Sequence, residues 1–191
     1  MLNLAFEKGN VKFERPKSDT SKDGSEWFSI LLVHQNKFKG MHAGTSKRES
    51  ISENIFPNFI NLVIWGHEHE CITEPHLNSE NGVVFLYPGS TVATSLSDFE
   101  SKPKHCFVLQ IQRVKFNITP IPLEKVRPFF FKNIYLADYI SGGVTPNDAL
   151  EEIIHKILQE HIGIMLPLVR LKVNQFSRLT IQDVIFLRYQ A

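Results

Sequence analysis

An α/β fold is predicted for this chain, on three observations. First, Trp27 to Val33 (WFSILLV), Leu62 to Trp65 (LVIW) and Val83 to Tyr87 (VVFLY) are short, nearly continuous apolar runs. Such runs read as strands buried within a covered sheet. Second, each is broken by Gly, Pro or a polar loop, so the runs are too short to be helices. Third, a capped stretch with helical spacing lies near the C-terminal end and is followed by another strand-like run, Leu168 to Val173 (LVRLKV).

Taken in order, Val11 to Phe13 is a short strand candidate, and residues 16–25 (PKSDTSKDGS) form a loop by composition. The Trp27 run ends at His34, and residues 35–47 are a polar, Gly-containing loop. Ile51, Ile55, Phe56 and Phe59 have helical spacing, but Pro57 limits that segment to a short or broken helix. The Leu62 run ends at Gly66, before His67-Glu68-His69-Glu70. Pro88-Gly89-Ser90 stops the Val83 run, and Phe107 to Ile111 with Val114 to Ile118 reads as a hairpin. Pro120, Pro122 and Pro128 mark a domain boundary, giving domains 1–121 and 122–191. Thr145 is a good helix cap, Pro146 suits the first helical position, and Asp148 favours the positive end of the helix dipole. Leu150, Ile153, Ile154, Ile157, Leu158, Ile162 and Met165 continue the helical period up to Pro167.

Composition excludes several classes. With 42% hydrophobic and 21% charged residues the chain is neither disordered nor collagen-like. Two cysteines, Cys71 and Cys106, are too few for a disulfide framework, and a reducing compartment is expected. No apolar run reaches the roughly 18 residues of a membrane span, and no signal-peptide core is expected at the N-terminus. The net charge of +1 does not announce a nucleic-acid partner. Residues 1–48 are more basic, and Lys37, Lys39, Lys47 and Arg48 share one short stretch. A basic loop of this kind can sit on phosphates, although a solvated surface is the ordinary reading.

The histidines carry the chemistry. Two strand-like runs finish at His34 and at Gly66-His67-Glu68-His69. Catalytic and binding groups of α/β sheets gather beyond the carboxyl ends of strands. Imidazole nitrogens delivered there suit borderline cations. A spacing of two after a glycine is a turn arrangement, so His67 and His69 can point at one metal or at two neighbouring metals. Glu68 and Glu70 then support the histidines or begin a helix. His42, His76, His105, His155 and His161 lack such a context, and Cys71 reads as a small buried apolar group.

Four stretches occur in a telling order: His34-Gln35-Asn36, LVIWGHEHEC (62–71), PGSTVATSL (88–96), and Ile121 to Phe129 with Val126-Arg127-Pro128. Together they resemble the double-strand-break repair nuclease family called Mre-eleven, whose bacterial relative is SbcD, within the calcineurin-like metallophosphoesterases. The resemblance covers roughly residues 11–173. It implies the C-terminal half of a two-sheet metallophosphoesterase sandwich, followed by a partial α+β capping domain that holds DNA. It implies that His34, His67 and His69 are ligands of a two-manganese (Mn2+) site, with His34 and His67 on one ion and His69 on the other. It implies 3′–5′ exonuclease and endonuclease activity on DNA, a Rad-fifty-type ATPase partner, no membrane, and a nuclear location. Lys37, Lys39 and Arg127 are the candidate DNA contacts.

The sequence departs from that family in two respects: the tail Asn174 to Ala191 matches it only loosely, without the segment that docks on the ATPase partner, and motifs of the family's first half are missing. The family's Asp-x-His, Gly-Asp and Gly-Asn-His motifs are absent from these 191 residues, and Gly9-Asn10 is followed by Val11. No general-acid histidine of the Gly-Asn-His type is therefore present. The expectation is a fragment or truncated gene product that is inactive alone. The alternative is a non-catalytic remnant that binds DNA or protein.

Overall fold

The computed structural model describes residues 13–14, 27–38, 50–140, 142–160, 165–174 and, as backbone, 181–186. The strands are β1 (Ile30–His34), β2 (Asn36–Lys37), β3 (Ser50–Ile51), β4 (Leu62–Gly66), β5 (Ile72–Leu77), β6 (Val84–Tyr87), β7 (His105–Gln112), β8 (Lys115–Pro122), β9 (Phe129–Tyr135), β10 (Leu168–Asn174) and β11 (Ile181–Phe186). One α-helix, α1 (Pro146–Glu160), separates β9 from β10. The mixed, sheet-rich α/β class is as predicted. The chain divides into two compact units, one of residues 1–68, 72–89 and 107–121, the other of residues 69–71, 90–106 and 122–191.

The first unit is built on a four-stranded sheet in the order β1-β4-β6-β5. β1, β4 and β6 run parallel, and β5 pairs antiparallel to β6. Its core is Phe56, Ile60, Val63, Trp65, Val83, Phe85 and Tyr87. β4 reads as buried and is buried, with Leu62, Val63 and Trp65 fully enclosed. β1 departs from its expectation of burial on both faces. It stands at the sheet edge, and only Leu31 and Val33 pack on the core. Ile30 and Leu32 point the other way, with Leu32 72% exposed, because successive side chains of a strand alternate between faces.

The segment limited by Pro57 is a single 3-10 turn, Glu53–Ile55, capped by the Ser52 hydroxyl. β5 has no clear signature in the sequence, since Pro75 sits inside it. An edge strand with a register irregularity tolerates that proline. β7 and β8 form the expected hairpin, turning at Arg113 with φ 57°. Of the Val11 to Phe13 strand candidate, only Phe13 is described; it is not in a strand, and its ring packs 5.6 Å from that of Phe56.

In the second unit β9 and β10 are parallel, and β11 adds antiparallel to β10. Parallel neighbours need a crossover, and α1 supplies it. The helix buries Leu150, Ile153 and Ile157 against Ile134, Leu136 and Leu171. Its start is as predicted. The Thr145 hydroxyl donates to the Asp148 carboxylate at 2.7 Å and accepts from the Asp148 N–H at 3.2 Å, a reciprocal cap. Ile162 and His161 lie outside the described residues. β9 and β11 were not expected.

Candidate metal centre

The parallel register of β1 and β4 sets His34 beside Gly66. His67 is then the first residue beyond the sheet. Its backbone takes φ 75°, a left-handed conformation that costs a non-glycine residue of order 1–3 kcal/mol. That turn brings His67 Nδ1 to 3.4 Å from His34 Nε2, with the rings edge-on at 5.2 Å. The separation is long for a hydrogen bond. Two imidazole nitrogens on one tetrahedral ion, each about 2.0–2.1 Å from it, stand about 3.3–3.4 Å apart. The His34/His67 pair therefore fits the spacing of two nitrogen ligands of one ion.

Gly66 makes this approach possible. A Cβ added there would stand 2.9 Å from His34 Nδ1 and 3.4 Å from the Val33 carbonyl. Gly66→Ala is expected to push the His34 ring aside while the strand pairing survives. Stability should fall by about 1–3 kcal/mol, the usual range for overpacking, and Ni2+ binding by the His34/His67 pair should weaken. Thermal unfolding and isothermal calorimetry with Ni2+ check both halves of that expectation.

Neighbouring groups fix the same strand ends. Trp65 Nε1 donates to the Gln35 carbonyl at 2.7 Å, and the Lys37 N–H donates to Glu68 Oε1 at 3.2 Å. Lys37, a candidate DNA contact, places its ammonium 2.5 Å from Glu53 and 4.5 Å over the Tyr87 ring. Glu53 also accepts from the Tyr87 hydroxyl and faces His76 Nε2 at 3.2 Å. Burial raises the Glu53 pKa, but Lys37 and Tyr87 outweigh it and hold the carboxyl below its ordinary range. Burial, then the bond to Glu53, pushes the Tyr87 phenol well above its ordinary value.

In the second unit His69 has its own anchor. Its Nδ1 lies 2.9 Å from Glu100 Oε1 and 2.9 Å from Thr94 Oγ1. The Glu100 side chain has no solvent exposure. Its Oε1 accepts from the Thr94 N–H at 3.0 Å and the Thr94 hydroxyl at 2.5 Å. Its Oε2 accepts from the Ser90 hydroxyl at 2.7 Å and from the Lys104 ammonium. Burial alone raises the pKa of this carboxyl, yet Lys104, Thr94 and Ser90 together hold it down at about 2. Glu70 pairs with Lys102. Cys71 Sγ sits 3.6 Å from His105 Nδ1, and burial pushes its thiol up.

Glu100 and Lys104 were not singled out in the sequence. Ser90 and Thr94 belong to the PGSTVATSL string, but nothing in the spacing ties a glutamate at 100 to a histidine at 69. Arg127, a second DNA-contact candidate, is exposed and donates from Nε to the Leu166 carbonyl at 2.8 Å. Lys39 lies outside the described residues. No group of three or more His, Cys, Asp or Glu side chains that could hold a metal ion occurs among the described residues. The imidazoles fit as nitrogen donors, whereas among the described residues no carboxylate completes a group around the His34/His67 pair to offset the charge of divalent ions.

Parallel strands that deliver histidines at their carboxyl ends define an α/β protein with a strand-end imidazole site. Comparison with known proteins narrows the class. The Arabidopsis thaliana double-strand break repair protein MRE11 is 38% identical over 194 residues, covering 94% of this chain and 26% of the plant protein. The Homo sapiens protein of the same name is 36% identical over 189 residues, covering 91% of this chain and 25% of its own length. The double-strand break repair protein mus-23 of Neurospora crassa is 41% identical over 136 residues, covering 71% and 17% respectively. No family model matches the chain. The chain belongs to the MRE11 family, and it spans about a quarter of the length of the plant and human relatives it matches.

Proposed function

We propose that this chain supplies the histidine-bearing part of a metal-dependent DNA nuclease of double-strand break repair. The observation that carries the reading is the His34/His67 pair at 3.4 Å, set at the ends of adjacent parallel strands. In this reading His34 and His67 hold one ion and His69 holds the second, with manganese as the ion. Such a pair of ions would polarise the phosphodiester and activate a water.

The chain's own residues do the rest. Gly66 keeps space for His34, and the Trp65 indole fixes the loop after it. Arg127, exposed on its loop, meets a backbone phosphate. Residues 1–121 form part of a metallophosphoesterase sandwich, and residues 122–191 part of a capping domain that holds DNA. The exposed apolar face of β1 suits cover by a further packed layer, and its place at the end of the strand order suits pairing with a further strand. A Rad-fifty-type ATPase partner, exonuclease and endonuclease cleavage, and a nuclear location follow from the same family reading. No helix among the described residues is long and apolar enough to cross a membrane.

A second reading is a module that binds DNA or protein without cutting. One experiment separates the two. The chain is joined to a segment carrying the Asp-x-His, Gly-Asp and Gly-Asn-His motifs, then offered duplex DNA and a small phosphomonoester in the presence of Mn2+. Cleavage of DNA is expected, and His67→Ala should reduce it at least about 100-fold, beyond the 10–100-fold typical of a residue that only supports a ligand. His155→Ala, on the exposed side of α1, should leave it unchanged. DNA binding without cleavage would move the binding reading to the front, and hydrolysis of the monoester alone would refute the nuclease.

A further inference from the structure

His69 is half-exposed, yet one edge of its ring is held from beneath by a carboxylate that has no solvent contact. The hydrogen-bond roles around it are fixed by elimination. The Thr94 hydroxyl has one proton, and it is donated to Glu100 Oε1 at 2.5 Å. Toward His69 that hydroxyl can only accept. An ionised carboxylate also only accepts, and the Lys104 ammonium keeps Glu100 in that form. Both neighbours of His69 Nδ1 are therefore acceptors, so Nδ1 carries the proton. In a neutral ring Nε2 is then the nitrogen with the free lone pair.

We propose that Glu100 is the positioning residue of His69: with Thr94 it selects the Nδ1–H tautomer, fixes the ring, and presents Nε2 as the metal-facing nitrogen. A carboxylate behind a ligating imidazole raises its basicity and limits its rotation. Ser90 and Lys104 complete the device by holding the far oxygen of Glu100. Thus PGSTVATSL supplies two of the groups, Ser90 and Thr94, that orient a carboxylate contributed from the 3-10 turn Asp98–Ser101. The role of Nε2 toward a metal rests on the metal reading given above. The tautomer does not.

Glu100→Ala alone would leave the Lys104 ammonium buried without its counter-charge, held only by the Ser90 hydroxyl at 3.0 Å, so the test uses the double variant Glu100→Leu with Lys104→Met. It removes both charges at nearly constant volume, a replacement that buried ion pairs commonly tolerate. Side-chain 15N NMR of the metal-free chain is recorded for His69. The wild type should show the Nδ1–H tautomer, and the double variant should revert to the Nε2–H form favoured by a free imidazole. An unchanged tautomer in the double variant, or an Nε2–H form in the wild type, overturns the proposal. Ni2+, which is paramagnetic and suits imidazole, is then titrated. The His69 signals of the double variant should broaden at about 10–100-fold higher Ni2+ than those of the wild type, with His34 and His67 responding as before. Equal broadening of His69 in both proteins overturns the metal-facing half of the proposal. A tautomer switch without Ni2+ broadening at any of the three histidines supports Glu100 as the positioning residue and removes the metal reading itself.

Discussion

A Lys104→Met chain is expected to unfold at far lower urea than the parent, with a loss of about 3–5 kcal/mol near pH 7. The Lys104 side chain is 5% exposed and Glu100 is fully enclosed. Removing the ammonium leaves a buried carboxylate with only the Ser90 and Thr94 donors and the His69 ring. The penalty is therefore the stranded charge more than the lost attraction. The double change with Glu100→Leu should recover most of the loss, so the two substitutions are strongly non-additive.

The pH dependence has a definite sign. Glu100 sits at about 2 when folded, against an ordinary 4.5. Its ionised form therefore stabilises the fold above the ordinary value, and that contribution is lost as pH falls through the folded one. The gap between parent and Lys104→Met should narrow as pH falls from 4.5 toward 2. Urea midpoints measured near pH 7 and near pH 3 test the direction.

Trp65→Ala is the second large effect, expected to cost about 3–5 kcal/mol as a large-to-small change in a packed core. Trp65 has no solvent exposure, and its ring lies 5.7 Å from Phe56, 6.1 Å from Phe85 and 5.8 Å from Tyr87. The substitution also removes the indole donor to the Gln35 carbonyl. Gln35 follows His34 directly, so the loss reaches the candidate metal pair as well as the core. Urea denaturation should show the stability change, and Ni2+ calorimetry a weaker His34/His67 pair. Full metal binding beside a large stability loss would mean that the Gln35 tether does not orient His34.

Part of this architecture is legible in the amino-acid sequence. β4 and β6 read as buried strands because every position in a doubly covered strand is apolar, and α1 read from its cap and its period. β5, β9 and β11 were not legible. β5 carries an internal proline, and the FFFKNIY of β9 has no clean alternation. The exposure of Ile30 and Leu32 on β1 is not legible for a related reason. An apolar run states what a strand can bury, while the neighbours it meets decide which face is covered.

The candidate site divides in the same way. The sequence by itself determined the imidazoles, their place at strand ends, the glycine before His67 and the family to which the chain belongs. These are local properties, written in consecutive residues and in their order. Only the tertiary structure decided that His34 and His67 face each other at 3.4 Å, that His67 takes a left-handed backbone, and that Glu100 stands behind His69. Those relations join residues 31 to 33 positions apart, and they depend on strand register and on the burial of a carboxylate. Register and burial arise from packing the whole chain, and no short window of sequence encodes them.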